Sequence, residues 1–117
     1  MRKYFLFTGI LFAIILSTSF QGFLKTSLDI TIRDRLGNTV EGVKIKLYKT
    51  YEDFNNDTNF IAEPLQTDSR GRVLFKNLEP IPYYISAVKG DANNYGDGEM
   101  VDTLIENRRN KVTIIIR

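Results

Sequence analysis

Histidine, cysteine and tryptophan are absent from this 117-residue chain, and proline occurs only 3 times. Each absence excludes a class of chemistry. Without His there is no imidazole base near neutral pH and no imidazole metal ligand. Without Cys there is no thiol nucleophile, no disulfide, no zinc–thiolate site and no cysteine to carry a lipid. Carboxylates, hydroxyls, Lys, Arg and Tyr are what remain. No spacing among them suggests a Ser–Lys dyad or a serine on a nucleophile elbow, so an enzyme is not expected.

The chain opens with a positive pair, Arg2 and Lys3. An uncharged apolar run from Tyr4 to Leu16 follows, and then the small polar residues Ser17, Thr18 and Ser19. This three-part pattern is that of a secretory signal peptide, a short helical export segment at residues 1–19. Ser17 and Ser19 supply the small side chains of a cleavage site after Ser19, with an outer limit at residue 22. The rival reading is a retained anchor, since uncharged residues continue to Leu24. Thr8, Gly9, Gln21 and Gly22 dilute that stretch, and the compact apolar core suits export better than a bilayer span. Of the 16 Lys+Arg, Arg2 and Lys3 stand before residue 20, whereas all 14 Asp+Glu stand after it, so the mature chain balances at net zero. No global field then draws it to nucleic acid or to an anionic membrane, and no membrane span is expected after cleavage.

Beyond residue 26 the dominant signal is alternation with period two, and no stretch carries a helical stripe. Leu28, Ile30 and Ile32 alternate with Asp29, Thr31 and Arg33, and Val43, Ile45 and Leu47 alternate with Lys44, Lys46 and Tyr48. The turn residues Gly37-Asn38 between these runs suggest a first antiparallel pair. Residues 49–58 read as a polar loop. Asn59 to Thr67 reads as a weak edge strand interrupted by Pro64. Arg72 to Asn77 follows a tight turn at Asp68–Gly71, with Val73 and Phe75 inward, and Tyr83 to Lys89 follows the Pro80–Pro82 corner. A Gly/Asn/Asp loop spans residues 90–98, with a possible short strand from Glu99 to Ile105. Lys111 to Arg117 closes the chain, with Ile115 outward on an exposed edge. The expectation is an all-β, six- or seven-stranded antiparallel Greek-key β-sandwich occupying residues 27–117.

The motifs Gly37-Asn38-Thr39-Val40-Glu41-Gly42-Val43 and Thr67-Asp68-Ser69-Arg70-Gly71-Arg72-Val73-Leu74-Phe75-Lys76-Asn77-Leu78-Glu79-Pro80, followed by Tyr83-Tyr84, carry a resemblance. The chain resembles the carboxypeptidase regulatory-like, transthyretin-like (prealbumin-like) sandwich domains, and more narrowly the small exported ones of Bacteroidota-type bacteria. The resemblance implies an Ig-like or prealbumin-like fold and an accessory, adhesive, stalk or ligand-binding role, with no reaction attached. Two relatives with definite chemistry do not carry over. Collagen-adhesin B-type repeats join a first-strand Lys to a last-strand Asn, but the first strand here offers Arg33 and no Lys, and Asn110 lies only at the start of the last strand. Transthyretin-like hydrolases of purine breakdown depend on histidines.

Two sites suggest themselves. Tyr95, with Asn93 and Asn94 beside it, is the first candidate for contact with a protein or glycan of the cell envelope; Tyr48, Tyr51 and Tyr84 extend it to an aromatic platform. The alternative is a calcium-stabilised adhesion module, because Asp91, Asn93, Asp97, Glu99 and Asp102 stand at positions 1, 3, 7, 9 and 12 of an EF-hand-like count. Against it, Tyr95 stands at position 5, an Asp closes the count, and tight loops select Asn, Asp and Gly on their own account. An up-and-down strand count puts the 49–58 and 90–98 loops at opposite ends, which disfavours a joint site. The same count brings Glu52, Asp53 and Asp57 near Arg108 and Arg109. The expected location is exported: periplasm, cell surface or extracellular. Export makes one firm prediction: the intact mass of the exported protein corresponds to a chain beginning at Phe20, and a mass that retains residues 1–19 contradicts it.

Overall fold

The computed structural model describes residues 25–117, so the signal-peptide expectation lies outside the described residues. Among the described residues, eight strands and one short helix run in the order β1 (Ser27–Arg33), β2 (Lys44–Tyr48), α1 (Tyr51–Asn56), β3 (Leu65–Gln66), β4 (Arg72–Phe75), β5 (Tyr83–Lys89), β6 (Ala92–Asn93), β7 (Met100–Val101) and β8 (Arg109–Ile115). They form two sheets, one ordered β4-β1-β8 and the other β3-β2-β5-β6, with β7 on the remaining length of β5. The expected all-β sandwich is present.

Alternation builds the interior. Ile30, Ile32 and Leu28 of β1, Ile45 and Leu47 of β2, Phe75 of β4, Ile85 of β5 and Ile114 of β8 meet in one buried cluster. Burying each such side chain stabilises the fold by roughly 1.5–3 kcal/mol. With no disulfide available, this packing and the strand ladders hold the domain.

The pairing differs from expectation in two respects. First, β1 and β2 do not form a hairpin. They lie in opposite sheets, joined at their connection by a single bridge between Arg33 and Thr39. The ten residues between them are long enough to cross the sandwich, and both flanks of β1 are already occupied by β4 and β8. Second, β1 and β8 run parallel, with Ser27 opposite Arg109 and Arg33 opposite Ile115. A parallel pair needs a long crossover, and here the rest of the domain supplies it.

Local chemistry accounts for the smaller departures. Residues 51–56 are helical, not loop. Thr50 caps α1 by accepting from the Asp53 N–H at 3.1 Å, Glu52 and Asp53 favour its first turn, and Asp57 ends it in the left-handed region. The expected strand at 59–67 shrinks to β3, because Asn59 has positive φ and Pro64 cannot donate to a ladder. The strand expected at 99–105 is only β7.

The turn before β4 is the tightest point. Gly71 has φ +73°, and a Cβ there would lie 2.9 Å from both the Ile32 carbonyl oxygen and the Thr39 Cβ. Gly37 has φ +88° but faces open space. Gly37→Ala should therefore cost about 1 kcal/mol from backbone strain alone. Gly71→Ala should cost at least about 2 kcal/mol more, because β1 and the 39–40 segment must also move. Urea unfolding of both variants checks this, and equal losses would contradict the packing at Gly71.

Candidate functional site

The outer face of the β2–β5 pair presents two side-chain columns in register: Lys44 beside Val88, Lys46 beside Ser86 and Tyr48 beside Tyr84. Tyr48 and Tyr84 sit at one end of these columns. Helix α1 folds back over that end and sets Phe54 on them, with ring centroids 5.8 Å from Tyr48 and 6.1 Å from Tyr84. Tyr51 leans on Tyr84 at 5.8 Å.

The opposite wall comes from the loop after β6. Between β6 and β7 no strand pairs with the middle of β5, and the Asn94 side chain takes that place. Its Oδ1 accepts from the Ala87 N–H at 2.9 Å, and its Nδ2 donates to the carbonyls of Ile85 at 2.8 Å and Gly98 at 3.2 Å. One carboxamide thus satisfies buried backbone groups that a strand would otherwise satisfy. Residues 95–98 are thereby free to arch outward. Tyr95 reaches across to Phe54, ring centroids 5.7 Å apart and nearly perpendicular, and its hydroxyl lies 3.4 Å from Ser86 Oγ.

Between the walls lies a groove of about 520 Å³, lined by Lys44, Lys46, Tyr51, Phe54, Asn55, Asp57, Ser86, Val88, Tyr95 and Glu99. Its sides are aromatic and its floor polar. Phe54 is buried, whereas Tyr51 and Tyr95 remain 56% and 52% exposed at the rim. The two loops that the strand count placed at opposite ends therefore border one groove. The count kept each loop at its own end of the sandwich, whereas α1 and the 94–98 arch both lie back over the sheet face.

Asp57 anchors one end. Its carboxylate accepts from Lys46 Nζ at 3.0 Å and from the Tyr48 hydroxyl. Burial is the main cause that raises the Tyr48 phenol well above its ordinary value, and the bond to Asp57 adds to it. The same bond from Tyr48, with help from Lys46, holds the Asp57 carboxyl below the ordinary value. The acidic residues of the 49–58 segment do not meet Arg108 or Arg109. Asp57 pairs with Lys46, Asp53 is held by Thr58 and Asn59, and Arg109 binds Asp29 of β1.

Of the other expected contact residues, Asn94 is fully buried and supports Tyr95 from beneath. The Asn93 side-chain carbonyl accepts from the Tyr95 N–H at 3.0 Å. The residues of the calcium count diverge. Asp97 is engaged by Arg117, whose Nη2 donates at 2.7 Å, and no three carboxylates converge on a metal position among the described residues. Helix α1, which carries half of the groove, left a faint trace in the sequence: Thr50 followed three residues later by Asp53 just ahead of Phe54.

No known protein family matches the chain, and no curated protein matches it either. Solved structures do. The streptococcal ancillary pilin aligns with TM-score 0.60 at 17% identity over 80% of this chain and 32% of the pilin. The major pilin subunit BcpA of Bacillus cereus aligns with TM-score 0.56 at 19% identity, over 80% of this chain and 30% of the pilin. The fold is an Ig-like β-sandwich of the pilin kind. The major pilin SpaD of Corynebacterium diphtheriae adds a third match, with TM-score 0.55 at 15% identity over 79% of this chain and 30% of the pilin. The chain thus spans about a third of the length of these pilins.

The Tyr48–Asp57 contact predicts two pH limbs. A raised phenol pKa favours the neutral, folded form, so its contribution is complete below about pH 10 and is lost as pH rises through the higher native value. A lowered carboxyl pKa contributes above the ordinary carboxylate value and is lost as pH falls through the native one. In an alkaline ultraviolet titration, Tyr48→Phe should remove one phenol from the late-ionising group. Asp57→Asn should bring that phenol earlier but not back to the ordinary value, because burial is the larger cause. A full return on Asp57→Asn contradicts this ordering.

Proposed function

We propose that the chain is an exported, non-catalytic β-sandwich module with a structural or accessory role at the cell envelope. It makes its contacts there through the groove between α1 and the 94–98 arch. The observation that carries this reading is the pairing of two half-exposed tyrosines, Tyr51 and Tyr95, across a polar floor of Lys44, Lys46 and Ser86. Aromatic rings at a concave rim offer broad contact at low entropic cost, while the floor supplies donors and acceptors. A saccharide fits that division best: its apolar ring faces stack on the tyrosines while its hydroxyls reach the floor. A peptide loop is the second fit.

Three observations support the envelope role. The N-terminal segment has the pattern of an export signal. The pilins whose fold the chain shares are themselves named as pilin subunits. The motifs around Gly37–Val43 and Thr67–Pro80 extend the reading to a carboxypeptidase regulatory-like, transthyretin-like module of a Bacteroidota-type bacterium. The groove also lacks an arrangement for catalysis, since Asp57, its carboxylate with a lowered pKa, is held by Tyr48 and Lys46.

The test is capture from native envelope extract and from a glycan array. Tyr51→Ala and Tyr95→Ala should each weaken capture about tenfold, the usual weight of an aromatic contact at a binding centre. If the double variant retains every partner at full strength, the groove is not the contact surface.

A further inference from the structure

The neutral mature chain conceals a separation of charge. On the outer face of the β4-β1-β8 sheet the strands carry Arg72 from β4, Arg33 from β1, and Arg109 and Lys111 from β8, against one carboxylate, Asp29. Asp29 is already neutralised: Arg109 Nε donates to it at 3.0 Å and Nη2 lies 2.9 Å away. The turns bordering this face each carry both signs in sequence, Asp34 with Arg35, Asp68 with Arg70, and Glu106 with Arg108, and Asp68 lies within electrostatic reach of Arg72 as well as Arg70. Asp34 and Asp68 also accept from the backbone amides of their own turns. What is left uncancelled is the cationic sheet face. Because the chain from residue 20 onward sums to zero, the rest of the domain carries the matching negative excess.

The arrangement on this face is a lane. Thr31 stands directly opposite Arg72 on one side and Thr113 on the other, and Asp29 stands opposite Lys111. Adjacent strands lie about 4.8 Å apart, so Arg72 and Lys111 flank β1 at about 10 Å across the strands and one two-residue step along them. A shallow hollow of about 180 Å³ lies between them, lined by Asp29, Thr31, Arg72, Lys111, Val112 and Thr113. No Asp or Glu side chain pairs with Arg72 or Lys111 among the described residues.

We infer that this face is a second binding surface, distinct from the aromatic groove, and that its ligand is an extended anionic polysaccharide lying across the strands. A three-stranded sheet whose β4 and β8 edges take no further strand among the described residues suits a linear polymer. The threonine hydroxyls suit sugar hydroxyls, and cations whose backbones stand about 12 Å apart suit acidic groups that recur along a glycan. A second copy of this chain fits worse. Its acidic residues are scattered over α1 and the loops, and several are already held, Asp57 by Lys46 and Asp97 by Arg117. Duplex DNA fits worse too, since nothing projects from the face into a groove.

The experiment measures binding of the exported full chain to immobilised polygalacturonate, with dextran and duplex DNA as separate arms, at about 50 mM and about 500 mM salt. Arg72→Gln/Lys111→Gln should weaken polygalacturonate binding about tenfold, the effect of two lost charge contacts. Lys49→Gln/Lys89→Gln removes the same charge from just past β2 and from the end of β5, away from this face, and should change binding by less than about twofold. High salt should abolish binding, and dextran should not bind. Equal losses in the two variants would overturn the inference, since net charge alone would then be acting. So would equal binding to dextran, tighter binding to DNA, or no polygalacturonate binding at the lower salt.

Discussion

The register of β2 against β5 is the constraint on which the molecule depends. With Ile45 opposite Ala87 and Leu47 opposite Ile85, the apolar set faces the interior. The same register necessarily sends Lys44, Lys46, Tyr48, Tyr84, Ser86 and Val88 outward. A slip of one residue would exchange the two sets, exposing the core and burying two lysines. The floor of the groove is thus a by-product of building the interior. Only the walls needed separate provision.

Those walls come from two economical devices. A six-residue helix cannot stand alone in water, and α1 persists because Thr50 and Asp57 cap its ends and Phe54 anchors it to Tyr48 and Tyr84. The 94–98 arch persists because Asn94 stands in for a missing ladder. A side chain that does a strand's work is costly to leave unsatisfied, so the arch is held firmly although it contains no regular structure beyond β6. The two devices meet where Phe54 and Tyr95 touch. The opposite sheet has no such superstructure, and its face is left to charge.

Much of the fold was legible in the sequence because alternation is a direct imprint of a half-buried sheet. The alternating residues Leu28, Ile30, Ile32, Val43, Ile45, Leu47, Val73 and Phe75 are buried as expected, whereas in the last strand Ile114 and Ile116 are buried and Val112 is only partly so. Strand partners were not legible. The expected β1–β2 hairpin rested on Gly37-Asn38, and a good turn shows that the chain bends without showing which sheet the next strand joins. The parallel alignment of β1 with β8 joins the two ends of the domain, a separation over which no local pattern carries information. Helix α1 escaped because one buried residue in six makes no stripe. The candidate site was partly legible: Tyr95 and Tyr51 were visible as candidate contact residues, but their meeting depended on Phe54, which polar neighbours concealed.

Helix α1 and the 94–98 arch close together over the β2–β5 face and so make the groove. Nuclear Overhauser contacts among ring protons test it most directly in solution. The structure, with the Phe54 and Tyr95 ring centroids 5.7 Å apart, predicts strong cross-peaks between these rings and between Phe54 and Tyr48. Cross-peaks from Phe54 to Tyr48 without any to Tyr95 would show the arch standing away from the helix. No ring contacts from Phe54 at all would contradict the groove itself.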